Sequence, residues 1–357
     1  MFPQKVTEKI KVLIVEDSPV VQRLLEHVIN DDPRLHVVGV AADAAEAMRM
    51  IRHLAPDIVT MDIRLPRMNG FEATRWIMRD HPVPIVVVAS NVDDKALDIS
   101  MNALRAGALS VVAKPSGLSH DDYQAMANHL CTQLFIMSQI KVVRQRAAPK
   151  IRPFIPTPPE PLCAVELVAV VASTGGPGAL SRILGSLPKD FPVPVTLVQH
   201  FGAPFIAGFA HWLGSVSALP VSLARDHDRL IQGHVHIAPG EAHLTVAEGY
   251  LRLDRGAAVQ GQRPSGDVLF DSVAASYGNR AVGVLLTGMG EDGARGLEAL
   301  HRTGAHTIAE SKSTAVIWGM PGAAVARGAV TEELPLDCIA LRLRQLTAPL
   351  TSQQAMS

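Results

Sequence analysis

The chain has 357 residues, 48% of them hydrophobic, and a formal net charge of −1. Such a length holds about two domains, each able to bury a core, and so small a charge excludes a chain-wide field that would gather nucleic acid or an anionic membrane. Apolar runs such as PVPIVVVAS and AVGVLLTG stop well short of the roughly 18 residues of a membrane span.

The opening residues, MFPQKVTEKI, lack the apolar stretch of a secretory signal. Cys131, Cys163 and Cys338 are spaced neither for a metal nor for a redox pair. The expected compartment is therefore the reduced cytoplasm. Short β-rich runs then follow one another: KVLIVED, HVVGVA, DIVTMD, PIVVVAS and LSVVAKP. Segments of helical period separate them, such as SPVVQRLLEHVIND, where Ser18 is the expected N-cap and Pro19 the first helical residue. Five such units in about 120 residues predict a small doubly wound domain.

In an open parallel sheet, ligands gather beyond the C-terminal strand ends. Glu16 and Asp17 end the first strand here, Asp62 the third, Ser90 the fourth, and Lys114 with Pro115 the fifth. A lone acid at a strand end is usually a solvated loop carboxylate. Three acids together repel one another unless a hard cation joins them, and Mg²⁺ favours such oxygens. Ser90 and Lys114 then suit a phosphoryl group, and Asp62 suits the nucleophile that accepts it.

Beyond Leu134 the character changes. The basic stretch KVVRQRAAPKIR precedes PFIPTPPEPL, with five prolines in ten residues. Proline removes donors and fixes φ, so an extended spacer is expected. The expected limits are one domain over 9–130, a linker over 131–162 and a second domain over 163–350. The basic stretch is either a solvated helix end or a surface for an acidic partner.

The second half repeats the α/β alternation in LVAVVAS, PVTLVQH, HVHIAP, AVGVLLTG and HTIAE. Ser173 ends the first of these and enters STGGPG. That glycine pattern is not a nucleotide loop, and Val171 stands where an esterase elbow needs glycine. Alone, Ser173 reads as a turn residue. However, His200 ends the second strand, and Asp292 follows AVGVLLTG. A hydroxyl, an imidazole and a carboxylate at one sheet edge have the composition of a nucleophile, its base and an orienting acid. The glycines around Met289 leave a backbone N–H free to face an oxyanion. His234, His236 and His243 lie in GHVHIAPGEAH, whose H-x-H suits either a metal or a polar strand face. Arg263 suits either an acidic substrate or a structural contact.

These motifs resemble two known families. Residues 9–130 resemble the receiver domain of response regulators, a flavodoxin-like fold. The resemblance implies phosphorylation of Asp62 by a partner histidine kinase, Mg²⁺ on Glu16, Asp17 and Asp62, and switch roles for Ser90 and Lys114. Val111 stands where many receivers carry an aromatic switch residue. VASTGGPGAL, VQH, GHVHIAPGEAHL, RPSGDVLFDSVA, LLTGMGEDGARGL and GMPGAAVARGAV resemble the chemotaxis methylesterase family CheB, whose catalytic domain is doubly wound and mainly parallel. That resemblance implies Ser173 as nucleophile, His200 as base and acid, Asp292 as orienting carboxylate, the Met289 amide in the oxyanion hole and His243 on the substrate cleft. No cofactor is implied in this second domain.

The implied reaction is hydrolysis of γ-glutamyl methyl esters on chemoreceptors, with glutamine deamidation alongside. The implied phosphodonor is a CheA-type kinase, and the implied setting is the periphery of membrane receptor arrays, with no nucleic acid involved. The two-domain layout suggests that the unphosphorylated receiver covers the cleft. A mainly deamidating enzyme and a receiver-gated binding module are the rival readings. Phe201-Gly202 and Glu310-Ser311 depart from the family pattern at the rim of the site.

Overall fold

A computed structural model describes residues 9–89, 102–104, 106–114, 120–140, 164–201 and 203–348. Ser90, Pro115, Cys163, Gly202 and the segment 141–163, which holds the basic stretch and the proline run, lie outside the described residues. The chain forms two compact units, Met1–Pro149 and Lys150–Ser357.

The first unit is a five-stranded parallel sheet in the order β2-β1-β3-β4-β5. Its strands are β1 (Ile10–Val15), β2 (Leu35–Ala41), β3 (Ile58–Asp62), β4 (Ile85–Ala89) and β5 (Ser110–Ala113). The helices are α1 (Pro19–Asp31), α2 (Ala44–Leu54), α3 (Gly70–Asp80) and α4 (His120–Met137). β3 and β4 are buried along their whole length. This is why DIVTMD and PIVVVAS read as apolar runs without alternation. Ser18 takes the N-cap position, yet its hydroxyl makes no capping bond. Its N–H turns back to the Glu16 carboxylate instead, at 3.3 Å. α4 runs through residue 130 and ends at Met137.

The second unit is a seven-stranded sheet, all parallel, in the order β14-β13-β12-β6-β7-β9-β8. Its strands are β6 (Leu167–Ala172), β7 (Val195–Gln199), β8 (Val221–Leu223), β9 (Val235–Ile237), β12 (Ala281–Leu285), β13 (His306–Glu310) and β14 (Glu332–Leu334). An antiparallel hairpin, β10 (His243–Ala247) and β11 (Tyr250–Asp254), lies outside that sheet. The helices are α5 (Gly176–Leu184), α6 (Ala203–Val216), α7 (Gly266–Ser276), α8 (Ala294–Arg302), α9 (Met320–Ala326) and α10 (Leu336–Leu346).

The order of the strands fixes where a ligand can sit. From β6 the chain moves to β7 on one side, and later to β12 on the other. That reversal opens a crevice beyond the carboxyl ends of β6 and β12, the usual ligand position in such sheets. Leu167, Val171, Leu269, Phe270, Leu285 and Leu297 pack one core beneath it. Phe270 is fully buried and lies against Gly283, Gly293 and Gly296. Phe270→Ala should leave a void there and lower the unfolding free energy of this unit by about 3–5 kcal/mol, measured by denaturant titration. A loss under about 1 kcal/mol would mean that the glycine-lined site collapses around the missing ring.

Candidate active site and phosphoacceptor pocket

The first unit brings its acids together at one sheet edge. Asp62 is the last residue of β3, and Glu16 and Asp17 follow β1. Their ligand oxygens lie within 4.8 Å of one another. Lys114 follows β5, its N–H bonded to the Ala89 carbonyl at 2.8 Å. Its Nζ stands 2.6 Å from Glu16 Oε2 and 3.2 Å from Asp62 Oδ1. Burial pushes the Glu16 carboxyl above its ordinary range, and Asp62 rises for the same reason. Lys114 pulls both the other way without prevailing. An oxygen-only donor set with one exposed member, Asp17, fits a hard divalent cation that keeps some of its water. Val111 is buried in β5.

The second unit is built around a different carboxylate. Ser173 and His200 each stand one residue beyond paired strand ends, since Ala172 of β6 lies opposite Gln199 of β7. The His200 N–H donates to the Ala172 carbonyl at 3.1 Å. The Gln199 amide donates to the carbonyls of both Ser173 and His200, at 2.9 and 3.2 Å. Gly175, in the left-handed region at φ +80°, turns the chain from β6 into α5. The Ser173 hydroxyl has no hydrogen-bond partner among the described residues. His200 Nε2 lies 2.8 Å from Asp292 Oδ2, both side chains being buried.

Asp292 sits in a cradle of donors at the start of α7. Ser265 Oγ donates to Oδ1 at 2.6 Å, the Gly266 N–H to Oδ2 at 2.6 Å, and the Asp267 N–H to Oδ1 at 3.2 Å. The orphan N–H groups of a helix N-terminus suit an anion. Burial works to raise this carboxyl, but His200, Ser265 and Gly266 together hold it below the ordinary range. Asp267 returns the favour to α8. Its Oδ1 accepts the N–H groups of Gly293 and Gly296 at 3.0 and 2.7 Å, and its Oδ2 accepts from Gln260 at 3.1 Å. Burial pushes Asp267 up, and the nearby Asp292 charge adds to that rise.

Thr287 forms the floor. Its carbonyl accepts the Ser173 N–H at 3.0 Å, and its hydroxyl donates to the Thr174 carbonyl at 2.9 Å. Its own N–H donates to the buried Glu310 at 2.9 Å. Burial pushes the Glu310 carboxyl up. Gly288 is required beside it, because a Cβ there would stand 2.7 Å from Ser173 Cβ. Met289, next in line, is an exposed large hydrophobic residue on the rim. Phe201 packs on Phe209 with the rings tilted, their centres 5.2 Å apart.

The other candidates have structural occupations. His234 and His236 stack at 4.6 Å. His234 Nε2 meets Ser222 Oγ at 2.8 Å, and His236 Nε2 accepts the Ile231 N–H at 3.2 Å. Burial lowers His236 to about 4, which keeps it neutral. Arg263 donates to the Gly256 carbonyl at 3.0 Å and so holds its own loop. His243 is buried, not spread on a cleft wall.

Comparison with known proteins bears on this arrangement. The CheB methylesterase family matches residues 168–343, and the response regulator receiver domain matches residues 12–125. A protein-glutamate methylesterase/protein-glutamine glutaminase of Paramagnetospirillum magneticum is 47% identical over 344 residues, which is 95% of this chain and 98% of that protein. The chain belongs to the CheB methylesterase family. A second CheB relative, from Geobacter metallireducens and with the same description, is 44% identical over 94% of this chain and 99% of its own length. The crystal structure of the Thermotoga maritima CheB methylesterase catalytic domain superposes with a TM-score of 0.50 at 36% identity, covering 51% of this chain and 99% of that one. No helix among the described residues is long and apolar enough to cross a membrane.

Ser265, Asp267, Gln199 and Thr287 were not singled out from the sequence. A signal existed for the first two: S-G-D before the apolar VLF is a helix start. For the acidic pocket, the sign of the pH effect follows from burial. Glu16 and Asp62 have ordinary values of 4.5 and 3.8, which the unfolded chain keeps, and raised values when folded. Their contribution to stability is complete below those ordinary values and is lost as pH rises through the raised ones. A cation binds the ionised form and offsets that loss. Mg²⁺ should therefore raise the unfolding temperature of the receiver unit more at about pH 7.5 than at about pH 5. No rise, or the same rise at both, would remove the cation from the pocket.

Proposed function

We propose that the protein is a cytoplasmic, phosphorylation-activated protein-glutamate methylesterase acting on chemoreceptors. The observation that carries the reading is the His200–Asp292 pair, set one strand away from Ser173 at the ligand edge of the sheet. The relatives, both protein-glutamate methylesterase/protein-glutamine glutaminases, support the same activity.

Because Asp292 occupies Nε2 of His200, Nδ1 is the nitrogen left for the serine. In the proposed reaction, Nδ1 takes the Ser173 proton while Oγ attacks the γ-ester carbonyl. The Met289 backbone N–H, in the loop whose first glycine touches Ser173, faces the developing oxyanion. The tetrahedral intermediate collapses, the proton on Nδ1 goes to the leaving methoxide, and methanol departs. Water then enters, gives its proton to Nδ1 and attacks the acyl-enzyme, releasing the glutamate side chain and restoring Ser173. Asp292 stays ionised throughout and steadies the imidazolium. A receptor glutamine follows the same path with ammonia as leaving group, which makes glutaminase activity a companion rather than a rival.

The receiver, read as 9–130 and carried to Met137 by its last helix, accepts a phosphoryl group on Asp62 from a CheA-type histidine kinase. Glu16, Asp17 and Asp62 would hold Mg²⁺, which when bound supplies positive charge to the phosphoryl oxygens. Lys114 neutralises one of those oxygens, and Ser90 hydrogen-bonds another. The unphosphorylated receiver withholds the cleft from receptors at the periphery of their arrays, and phosphorylation shifts that equilibrium.

The test is methanol and ammonia release from methylated receptor, with mass spectrometry of the receptor helices. Ser173→Ala should lower turnover by about 10³-fold or more. Mg²⁺ with acetyl phosphate should raise the activity of the full chain, and Asp62→Asn should abolish that rise. Unchanged hydrolysis in Ser173→Ala would end the nucleophile assignment. Equal rates with and without the phosphodonor would end the gating.

A further inference from the structure

His243 lies on the β10–β11 hairpin, outside the seven-stranded sheet, opposite Asp254. It is 1% exposed, and both of its ring nitrogens are in use. Nε2 meets the Ala257 carbonyl at 3.0 Å. A carbonyl only accepts, so Nε2 carries the proton and Nδ1 is left as an acceptor. Nδ1 accepts the Ser265 N–H at 3.1 Å. That N–H belongs to the N-cap residue of α7, and no turn of its own helix bonds it.

The consequence reaches the carboxylate. Asp292 Oδ1 takes Ser265 Oγ and the Asp267 N–H, while Oδ2 takes the Gly266 N–H and His200. Three of these four donors lie on the single turn Ser265–Asp267. The rotation of the carboxylate about its own bond, and with it the oxygen presented to His200, is set by where that turn stands. The bond from Ser265 N–H to His243 ties the turn to the hairpin.

We propose that His243 is a positioning residue for the esterase reaction: by holding Ser265 it fixes the Asp292 carboxylate in the orientation that serves His200. The inference rests on the hydrolase reading above. His243 touches neither substrate nor the reacting atoms, so its effect falls on turnover rather than on receptor binding. A side chain that only filled volume would alter stability and leave the ratio of kcat to KM in folded protein unchanged.

The experiment compares the full chain with His243→Leu, His243→Phe, His243→Asn and Ser265→Ala. Methanol release from methylated receptor is measured per folded molecule, alongside thermal unfolding. His243→Leu removes the acceptor, and Ser265→Ala removes the hydroxyl but spares the ring. Each should lower kcat by on the order of 10- to 100-fold with KM nearly unchanged, the cost of a misplaced catalytic group. His243→Asn can place an amide oxygen where Nδ1 stood and should restore most of the turnover. A readout besides activity is the far-downfield proton resonance of His200 Nε2–H, assigned by its absence in Asp292→Asn. It should shift in His243→Leu and Ser265→Ala, and return in His243→Asn.

His243→Phe, which keeps a ring but no acceptor, keeps the test alive if His243→Leu does not fold. Turnover at the parent level in either folded variant overturns the proposal, as does equal impairment of the Leu and Asn variants. An unchanged His200 resonance in the folded Leu or Phe variant overturns it as well. If the parent chain itself releases no methanol, the hydrolase reading has failed instead, and the resonance still reports on the positioning.

Discussion

The carboxylate of Asp292 lies in the interior, where an ionised group persists only if donors replace the water it has lost. The first turn of α7 supplies those donors, and His200 completes the set. Much of the second unit follows from that requirement. α7 must start where β12 hands the chain to Asp292, so the loops before both helices are fixed relative to each other. α8 in turn needs partners for its own first N–H groups, and Asp267 provides them. Each helix thus caps its opening turn with an acid carried by the other's end of the chain.

The receiver unit solves a related problem differently. Its three acids gather beside the N-cap of α1, whose Ser18 N–H reaches Glu16, and among the described residues Lys114 pairs with both Glu16 and Asp62. Burial still raises both Glu16 and Asp62 above their ordinary values. One unit holds its anion satisfied by fixed dipoles, as suits a group that must stay ionised through a reaction. The other gathers an oxygen donor set that could bind a metal ion.

Both sheets were legible in the sequence because parallel strands buried on two faces leave uninterrupted apolar runs, as in LVAVVA and IVVVA. The residues just after those runs were legible too, since Ser173, His200, Asp62 and Lys114 mark strand ends. The three-residue strands β8 and β14 were not, being too short to show a pattern, and neither was the hairpin β10–β11. The supporting shell was hidden for another reason. Ser265 and Asp267 look like ordinary helix-start residues, and Thr287 acts largely through its backbone. Groups that bond through main-chain atoms leave little chemical trace in a string of side chains. His234 and His236 show the converse: a metal-like spacing that the fold spends on a stacked pair and two hydrogen bonds.

The engagement of His200 through Nε2 has a geometric corollary. Nδ1 is the ring nitrogen nearer to the histidine's own main chain, so a nucleophile on the immediately adjacent strand suits it best. Neighbouring strands run about 4.8 Å apart, and β6 beside β7 meets that condition. The spacing of the sheet thereby acts as the ruler for the proposed proton transfer. A homologous enzyme that inserted a strand between these two would need its imidazole turned end for end.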